Sequence, residues 1–267
     1  IVKKAIVNSL SNVYHRHTRL PETGSKYPLE VAINKDHVIL TLDTTGSSLF
    51  KRGYRVEKGN APLKENLAAA LILLTNWHKD MPFWDPFCGS GTIPIEATMI
   101  ARNLAPGFNR EFAFEQFGFI DNELIEDERD RADGLADYDS PLEIHASDID
   151  GSMIDIAKTN AREVGLTQDI QFKQVAVADF KTDLHDGVMI GNPPYGERMS
   201  EQEQVHQLYR QMGQAFGPLT DWSKYFITSD LEFEKYYGQK ATKKRKLYNG
   251  ALRTDYFQFW AERKPRH

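Results

Sequence analysis

The sequence predicts an α/β protein built on a doubly wound, mostly parallel sheet, with a small α/β appendage at its N-terminus. Two observations lead to this fold class. From about residue 60 onward, short apolar stretches alternate with segments of helical periodicity, which is the pattern of parallel strands joined by crossover helices. Glycine-rich or acidic residues follow several of the apolar stretches, and such residues are typical of strand ends that face a ligand.

The composition is that of a globular protein without a membrane-spanning segment. The chain has 267 residues, of which 40% are hydrophobic and 27% are charged. No apolar run reaches the roughly 18 residues that a membrane-spanning helix needs. Cys88 is the single cysteine, which excludes an intramolecular disulfide and a cysteine-based zinc site. We therefore expect a cytoplasmic protein with neither a membrane nor a metal partner, and the sequence leaves its oligomeric state open.

Charge is distributed unevenly along the chain, although the net charge is only −5. The segment from Asp121 to Glu143 has ten acidic and two basic residues, whereas the segment from Lys235 to His267 has ten basic and two acidic residues. Such segregation permits a local anion-binding face on an acidic protein. Two ordinary solvated surfaces would give the same pattern, so charge alone leaves both interpretations open.

The first 55 residues predict a small region of their own. A helix is expected over Ile1 to Leu10, and two strands over Leu29 to Asn34 and His37 to Asp43, joined by a turn at Asn34 to Asp36. This region is too small to hold a good core alone, so we expect it to pack on the rest of the chain or on an upstream domain. Because the sequence begins with Ile1 rather than Met, we expect a fragment or a trimmed product.

The remaining chain is predicted to alternate between helices and strands. Pro62 marks the start of one helix and Gly165 the end of another, since proline suits a first turn and glycine suits a termination. The helices are expected at Pro62 to His78, Thr92 to Asn103, Asn122 to Ala136, Gly151 to Val164 and Val205 to Phe216. The strands are expected at Pro82 to Asp85, Leu142 to Ser147, Ile170 to Val175, Gly187 to Gly191, Lys224 to Thr228, Thr242 to Tyr248 and Tyr256 to Ala261.

A glycine-rich loop, Asp85 to Thr92, joins a predicted strand to a predicted helix. Its two glycines allow a tight turn and a close approach of the backbone to a ligand, and the helix N-terminus beyond them favours an anion. The loop lacks the third glycine of a dinucleotide-binding loop and the Gly-Lys-Ser/Thr of a phosphate-binding loop. A ligand with an amino-acid end, such as S-adenosylmethionine, fits better because Asp85 can accept hydrogen bonds from its ammonium group.

Six residues of this loop are therefore predicted to bind the cofactor: Asp85, Phe87, Cys88, Gly89, Ser90 and Gly91. Cys88 could instead be a nucleophile, but no histidine lies close to it in the sequence to activate it. We interpret Cys88 as a small residue beside the cofactor.

Acidic residues end the next predicted strand, at Asp148 and Asp150. A carboxylate at a second strand tip accepts hydrogen bonds from a ribose diol, so we predict that Asp148 and the adjoining Ile149 bind the cofactor. The interval from the glycine loop exceeds the usual interval of about 20 residues, and an acidic insertion between the two motifs accounts for the difference. Metal ligation by Asp148 and Asp150 is a weaker alternative because no other ligands cluster there, and Asp150 is also expected to cap the following helix.

Asp179 and Phe180 follow the predicted strand at Ile170 to Val175. A carboxylate can accept a hydrogen bond from the amino group of adenine, and an aromatic ring can cover the face of the base. The same pair of residues is common in turns after strands, so we assign it to the cofactor only together with the other motifs.

The fourth motif, Asn192-Pro193-Pro194-Tyr195, follows an apolar predicted strand. The amino group of a nucleic-acid base is a poor nucleophile because its lone pair is delocalised into the ring. The Asn192 side-chain oxygen and the Pro193 carbonyl can accept hydrogen bonds from this amine and stabilise the charge that develops on attack. The prolines hold the carbonyl rigidly, and Tyr195 offers a face on which an extruded base stacks. We predict that these four residues carry out methyl transfer, with Asn192 also beside the cofactor.

These motifs together resemble those of the class I methyltransferases, which have a Rossmann-like fold and modify amino groups of bases. The resemblance rests on DPFCGSGT and IPIEA within Asp85 to Ala97, on SDID at Ser147 to Asp150, and on GNPPYGER at Gly191 to Arg198. A longer resemblance is to the THUMP-associated group. That group includes bacterial large-subunit rRNA guanine-N2 methyltransferases and proteins that have been labelled N6-adenine-specific DNA methylases.

The longer resemblance covers about residues 28 to 260. Leu42 to Gly46 and Lys51 to Arg55 resemble the junction between the THUMP domain and the catalytic domain. Ala61 to Ala68 resembles the helix beside the cofactor, and Lys246 to Gly250 resembles the late motif of the family. By this resemblance, residues 1–55 are the tail of a THUMP-like RNA-binding region with its linker, and residues 56–267 are the methyltransferase domain.

The resemblance also implies roles for individual residues. The methionine end of the cofactor is lined by Asp85, Phe87 and Gly89, its ribose by Asp148, and its adenine by Asp179 and Phe180. The nucleic-acid substrate is contacted by Tyr195, Arg198, Lys246 and Asn249. The implied reaction is methylation of guanine N2 in 23S rRNA, with RNA favoured over DNA as the partner.

Three other functions share some of these features. A DNA adenine-N6 methyltransferase carries the same Asn-Pro-Pro-Tyr, and RNA is favoured over it only through the resemblance of Lys51 to Arg55 and of the Asn249-Gly250 region. A non-catalytic RNA-binding module that retains the fold is disfavoured by the intact Asn192 and Tyr195. A nicotinamide oxidoreductase is disfavoured by the missing third glycine.

Overall fold

A seven-stranded, mostly parallel sheet organises the larger part of the chain, as the predicted fold class requires. The computed structural model describes residues 1–16, 23–55, 63–195 and 202–262. The chain divides into two compact units, one made of Ile1–Ser47 and Phe112–Ile125 and the other of Ser48–Glu111 and Glu126–His267.

The first unit contains a helix, a hairpin and a 3-10 turn. Helix α1 is Val2–Val13, and strand β1 (Leu29–Asn34) pairs in antiparallel fashion with β2 (His37–Leu42). Both residues of the hairpin turn, Lys35 and Asp36, have positive φ, as a two-residue turn between twisted strands requires.

The segment at residues 112–125 joins this first unit through backbone hydrogen bonds. The amides of Ala113 and Phe114 donate to the carbonyls of Thr45 and Thr44. The unit is therefore assembled from two separate stretches of sequence. A single predicted boundary near residue 55 does not include the second of these stretches. Its interpretation as the tail of a THUMP-like region stays a prediction.

The second unit alternates helices and strands. The helices that follow the first unit are α2 (Glu65–Leu73), α3 (Thr92–Ala101), α4 (Asn122–Asp133), α5 (Gly151–Glu163), α6 (Gln202–Phe216) and α7 (Phe233–Tyr237), of which α4 crosses the boundary between the units. The strands are β3 (Phe83–Asp85), β4 (Ile144–Asp148), β5 (Ile170–Gln174), β6 (Val188–Gly191), β7 (Ser223–Thr228), β8 (Lys243–Asn249) and β9 (Leu252–Phe259). The sequence does not predict α7, because five residues are too few to show a helical period. Among the described helices, none combines the length and the apolarity that crossing a membrane requires.

The strand order across the sheet is β5-β4-β3-β6-β7-β9-β8. The five strands from β5 to β7 are parallel, and β9 runs antiparallel to both β7 and β8. From the central pair, β3 leads through α3 to β4 on one side, and β6 leads through α6 to β7 on the other. Because crossovers between parallel strands are right-handed, helices that serve the two halves cover opposite faces of the sheet. The order therefore reverses between β3 and β6, and ligands bind at such a switch point.

Alternate side chains of the central strands contribute to two separate cores. Phe83 lies in the core beneath α2, α3 and α5, whereas its neighbour Trp84 lies in the core beneath α6 and α7. Tyr225 and Phe226 of β7 divide between the same two cores in the same way. This two-residue period follows from the pleat of a strand, which directs successive side chains to opposite faces of the sheet.

Candidate functional site

Four predicted motifs meet where the central parallel strands end. The glycine-rich loop follows β3, Asp148 is the last residue of β4, Asp179 follows β5, and Asn192 follows β6. All four strands are parallel neighbours, so these segments lie along one edge of the sheet on both sides of the switch point.

Asp85 is the most unusual residue of this edge, because its carboxylate is 1% exposed and only half satisfied. One oxygen, Oδ1, accepts a hydrogen bond of 2.9 Å from the amide of Phe87. The other oxygen, Oδ2, is buried without a hydrogen-bond partner among the described residues. Burial is the main cause that raises the pKa of Asp85 well above its ordinary value, and the charge of Asp148 raises it further. A buried carboxylate oxygen without a donor is suited to a cationic ligand.

The glycine-rich loop leaves β3 in a tight turn that only glycine accommodates easily. Gly89 and Gly91 have positive φ, at 48° and 84°. A Cβ on Gly91 would lie 3.0 Å from the Cβ of Ala157 in α5, whereas a Cβ on Gly89 would point into open space. The loop is braced from α5, where the side-chain amide of Asn160 donates to the carbonyl of Ser90 over 2.9 Å. The open side at Gly89 leaves room for a ligand beside the backbone.

Cys88 is buried within this loop, and burial is the main cause that raises the pKa of its thiol well above the ordinary value. The charges of Asp85 and Asp148 raise that pKa further. Because the thiolate is the nucleophilic form, this environment opposes a nucleophilic Cys88. The interpretation of Cys88 as a small residue beside the cofactor stays a prediction.

Asp148 connects the glycine-rich loop to the start of α5. Its Oδ2 accepts a hydrogen bond of 3.0 Å from the amide of Gly89, and its Oδ1 accepts one of 3.0 Å from the amide of Asp150. Asp150 in turn caps α5, accepting from the amide of Ser152 over 2.8 Å. Each oxygen of Asp148 keeps a second lone pair, so the carboxylate can still accept a hydrogen bond from a ligand.

The residues predicted around adenine have contrasting surroundings. Ile149 is 70% exposed at the strand edge, and Asp179 is exposed at the end of a 3-10 turn. Phe180 is instead 9% exposed and packs edge-on against Trp84 and Phe216, with ring centroids 4.8 and 5.2 Å away. The ring of Phe180 therefore helps to fill the core beneath α6, and Ile149 is the apolar side chain that stands open at this edge.

Asn192 to Tyr195 continue from β6 and lie next to the glycine-rich loop. Gly191 makes this proximity possible, because a Cβ there would come within 2.9 Å of the Phe87 ring. Pro193 is buried, Pro194 is exposed, and Asn192 and Tyr195 are half-buried. The side chains of Asn192 and Tyr195 are thus accessible, while Pro193 anchors the segment.

A buried tyrosine that the sequence analysis does not identify holds this segment in place. The hydroxyl of Tyr209, on α6, donates to the carbonyl of Pro194 over 3.1 Å and lies 3.0 Å from Oγ1 of Thr228 at the end of β7. Burial raises the pKa of Tyr209 well above its ordinary value, so the phenol stays neutral and can donate. In the sequence, Tyr209 lies in the apolar stripe of an amphipathic helix, and nothing there distinguishes it from an ordinary core residue.

The two arginines of the stretch from Lys51 to Arg55 form contacts inside the protein, whereas Lys51 is exposed. Nε of Arg52 lies 3.4 Å from the buried carboxylate of Glu96, which also accepts a hydrogen bond of 3.0 Å from the Tyr54 hydroxyl. Arg55 pairs with Glu65 at 3.3 Å and donates to Oγ1 of Thr92 over 2.7 Å. Arg52 therefore stabilises α3, and Arg55 stabilises the first residues of α2 and α3. The preference for RNA that rests on the resemblance of this stretch stays a prediction.

Three predicted substrate residues lie away from Asn192 or beyond the described ranges. Lys246 is exposed on the edge strand β8, and Asn249 is half-buried at its end. β8 is separated from β6 by β7 and β9, so these residues share an edge with Asn192 but are about 14 Å to its side. Arg198 lies outside the described residues. Within the described ranges, no group of three or more His, Cys, Asp or Glu residues is arranged to hold a metal ion.

Comparison with known proteins relates most of the second unit to one family. Residues 52–258 match the family described as UPF0020: RMKL-like, methyltransferase domain. The chain is 54% identical over 266 residues to the Bacillus subtilis (strain 168) protein named “Putative RNA methyltransferase YpsC”, covering 99% of this chain and 69% of that protein. It is 33% identical over 258 residues to “Ribosomal RNA large subunit methyltransferase K/L” of Shewanella baltica (strain OS195). That alignment covers 94% of this chain but 36% of the longer protein.

Solved structures show the same fold at high sequence identity. The crystal structure of SMU.472 complexed with SAH superposes with a TM-score of 0.94 and 52% identity, covering 98% of this chain and 70% of that one. A Listeria monocytogenes (str. 4b F2365) protein described as a predicted N6-adenine-specific DNA methylase superposes with a TM-score of 0.92 and 54% identity. The latter comparison covers 98% of this chain and 68% of the neighbour.

Replacement of Asp85 by asparagine is expected to stabilise the ligand-free protein near neutral pH. The folded-state pKa of Asp85 lies above its ordinary value of 3.8, so ionisation of this carboxyl opposes folding. The stability associated with its protonated form is lost as the pH rises through the folded-state pKa. Asp85→Asn should therefore raise the free energy of unfolding by roughly 1.4 kcal/mol for each unit by which the pKa is raised, and the gain should shrink as the pH falls towards 3.8.

Urea unfolding of the ligand-free protein at several pH values measures this effect. Asp150→Asn is the matched control, because hydrogen bonds from Ser152 lower the pKa of Asp150. The charged form of Asp150 therefore favours folding, whereas the charged form of Asp85 opposes it. A loss of stability in Asp85→Asn at neutral pH would show that the buried carboxylate is already compensated inside the protein.

Proposed function

The chain belongs to the RMKL-like methyltransferase domain family (UPF0020), and we propose that it methylates the exocyclic amino group of a base in RNA, with guanine N2 of 23S rRNA as the substrate. The methyltransferase activity predicted from the sequence is the activity of this family. S-adenosylmethionine is the methyl donor, in agreement with the SAH complex of a neighbour that is 52% identical. The base and the RNA are the parts that experiment has to establish.

The observation that carries the proposal is the unsatisfied Oδ2 of Asp85 beside the Asn192 segment. This buried oxygen lacks a donor among the described residues, and an ammonium group supplies one. It belongs to β3, the strand next to β6 across the switch point of the sheet, and Asn192 follows the last residue of β6. A cationic amino-acid end at Asp85 and a base amine at Asn192 would therefore be bound by neighbouring strand ends.

The residues of the edge divide between the parts of the cofactor in this proposal. Asp85 accepts from the ammonium group, the backbone from Phe87 to Gly91 surrounds the methionine end, and Asp148 accepts from the ribose. Ile149 packs on the adenine and Asp179 accepts from its amino group. Ile149 suits this role because its apolar side chain is 70% exposed at a position where a ligand can cover it.

Methyl transfer to a base amine needs positioning and charge stabilisation from these residues. The cofactor supplies an electrophilic methyl group on a sulfonium. Asn192 Oδ1 and the Pro193 carbonyl accept hydrogen bonds from the amine, which directs its lone pair at the methyl carbon and offsets the positive charge that develops on nitrogen. As the N–C bond forms and the S–C bond breaks, the amine nitrogen becomes cationic and its extra proton leaves to solvent. Tyr195 stacks on the extruded base and holds its plane.

RNA is favoured as the substrate by the names of the sequence relatives. One of them is named as an RNA methyltransferase and another as a large-subunit rRNA methyltransferase. The chain spans 36% of the latter protein, so the substrate of that whole protein is carried to this chain only as a proposal. Adenine N6 in DNA is the second candidate, because a 54% identical neighbour is described as a predicted N6-adenine-specific DNA methylase.

Methyl transfer to defined nucleic acids distinguishes these substrates. The purified chain is incubated with labelled S-adenosylmethionine and either 23S rRNA or genomic DNA from cells that lack the gene, and the products are digested to nucleosides for mass spectrometry. We expect N2-methylguanosine in the RNA and no methylated base in the DNA. N6-methyladenine in the DNA, without methylated RNA, would contradict the RNA proposal and support the second candidate.

Variants of Asn192 and Asp148 are expected to separate catalysis from cofactor binding. Asn192→Ala removes an acceptor that acts on the reacting amine, so kcat should fall by about 100-fold or more while S-adenosylhomocysteine affinity stays within twofold. Asp148→Ala removes the ribose acceptor and should weaken that affinity by about tenfold. Calorimetry and the transfer assay measure the two effects, and near-normal turnover in Asn192→Ala would exclude its catalytic role.

Tyr209 is proposed to act as a positioning residue for the same reaction. Its hydroxyl fixes the carbonyl of Pro194, the residue that follows the proposed Pro193 acceptor. Tyr209→Phe keeps the ring in the core but releases this carbonyl, so we expect kcat to fall by about tenfold with the affinity for S-adenosylhomocysteine unchanged.

Tyr237 provides the matched control for this substitution. Its hydroxyl is also buried, but it has no hydrogen-bond partner among the described residues. Tyr237→Phe should therefore leave kcat, KM and cofactor affinity unchanged. An equal fall of kcat in both variants, or a fall that follows the loss of thermal stability, would contradict the positioning role and leave Tyr209 with a packing role only.

A further inference from the structure

A second concave surface lies to the side of the proposed cofactor site, on the part of the sheet formed by β7, β9 and β8. This surface, named the β8 groove, has a volume of about 480 Å³ and is lined by Asn76, Lys243, Arg245, Gln258, Trp260 and Glu262, among others. It lies where β7 and β8 begin and where β9 ends. Asn192 follows β6, which is separated from β8 by β7 and β9, so β8 is about 14 Å to its side. The β8 groove thus takes no part in the reaction site.

One wall of the β8 groove is an exposed aromatic ring. Trp260 is 53% exposed, and its Nε1 donates to Oε1 of Gln258 over 3.3 Å, which restricts the orientation of the indole. Its backbone amide is also held, by Oγ1 of Thr242 at 3.2 Å. A large aromatic face that is fixed in place and open to solvent is a platform on which a base can stack.

Polar groups in the β8 groove offer hydrogen bonds next to this ring. Oδ1 of Asn76 accepts a hydrogen bond of 2.8 Å from the hydroxyl of Tyr225, which fixes the amide. The NH₂ of Asn76 has no acceptor among the described residues, so it remains a donor for a ligand. Side-chain amides of this kind pair with the edges of bases.

Two cations of β8 face the same groove. Lys243 and Arg245 are two positions apart on the strand, so they lie on one face, whereas Lys244 and Lys246 lie on the other. Lys244 is paired with Glu234 at 2.7 Å. Neither Lys243 nor Arg245 forms an ion pair within the described part of the chain.

Positive charge therefore outweighs negative charge among the side chains that line the groove. Glu262 is the acidic residue among them, against Lys243 and Arg245. The chain as a whole carries a net charge of −5, so this local excess of positive charge is not a property of the entire surface.

We propose that the β8 groove binds a single-stranded segment of the RNA substrate, with Lys243 and Arg245 on its phosphates and a base stacked on Trp260. This inference rests on the proposed function, because it assigns a second contact to the same RNA. A ring platform, amide donors and unpaired cations are together the groups that recognise a single-stranded nucleotide segment, and an apolar protein partner would leave the cations unpaired.

The β8 groove is distant enough from Asn192 to contact nucleotides outside the target base. Through the pairing register, Lys243 is level with Ile190, and Arg245 is level with the residue that follows Gly191. Three strand spacings separate β8 from β6, so both cations are about 14 Å to the side of Asn192. The bound segment therefore contains nucleotides other than the methylated one.

Charge reversal in the β8 groove tests this proposal. The full chain is titrated into a fluorescently labelled single-stranded RNA oligonucleotide, and anisotropy is measured at several salt concentrations. For the Lys243→Glu/Arg245→Glu double variant, we expect affinity to fall about tenfold or more, and the slope of log affinity against log salt to decrease in magnitude by about 1.4, which is about 0.7 for each lost phosphate contact on a single strand.

The control is Lys158→Glu/Arg162→Glu, which reverses two exposed cations on α5 and changes the net charge by the same amount. This control should stay within twofold of the unchanged protein, and both double variants should keep their affinity for S-adenosylhomocysteine. Equal weakening by both double variants would overturn the inference, since the effect would then follow net charge alone.

Tryptophan fluorescence gives an independent measure of stacking. Of the four tryptophans, Trp84 and Trp222 are buried and Trp77 is half-buried, so Trp260 is the most open to a quencher. RNA should quench the emission of the unchanged protein, and Trp260→Phe should abolish this quenching. Quenching that persists in Trp260→Phe would exclude the stacked base.

The outcomes also separate this inference from the proposed function. A chain that methylates RNA, with groove variants that bind RNA as the control does, would overturn the groove alone. A chain that neither binds nor methylates any RNA would overturn both.

Discussion

The parallel pairing of β3 with β6 is the constraint on which the site depends. These strands are neighbours in the sheet but far apart in sequence, and each continues away from the other, β3 towards β4 and β6 towards β7. The helices that follow them cover opposite faces, so nothing from either crossover fills the space above the pair. Gly191 then allows the ring of Phe87 to lie against the end of β6, which brings the glycine-rich loop to the Asn192 segment. The fold thus creates the crevice before any side chain confers chemistry on it.

The buried carboxylate of Asp85 is a stability cost that this crevice tolerates. A charged group with one unsatisfied oxygen in the interior disfavours folding, and burial raises its pKa for that reason. The surrounding backbone offers Asp85 one donor and leaves the second oxygen open. Local rules of packing are usually broken where a ligand completes the structure, and an ammonium group would do so here. The same feature therefore lowers the stability of the ligand-free protein and favours the bound state.

The order of elements and the strand-end motifs could be predicted from sequence because both are local signals. Apolar runs, glycines and acidic tips each extend over a few residues, and parallel strands bring such tips to one edge. Contacts that join distant segments could not be predicted in this way. Lys51 to Arg55 has the composition of a nucleic-acid contact, yet Arg52 and Arg55 pair with Glu96 and Glu65 in the fold. Tyr209 gives no signal beyond its place in an apolar stripe, and only the position of Pro194 reveals its use.

The four consecutive basic residues of β8 have a simple explanation besides ligand binding. An edge strand exposes unpaired backbone groups, and lysines along it discourage pairing with another chain. That explanation applies equally to both faces of the strand and requires no aromatic platform nearby. Trp260 is inconsistent with protection of the edge strand as the sole explanation, because a large exposed ring next to an edge strand promotes association with other chains. A protein that only protected this edge would gain by replacing Trp260 with a polar residue. The tryptophan beside Lys243 and Arg245 is therefore better explained by a ligand that contacts the ring and the cations together. A nucleic-acid strand is such a ligand, because its bases stack on a ring and its phosphates pair with cations.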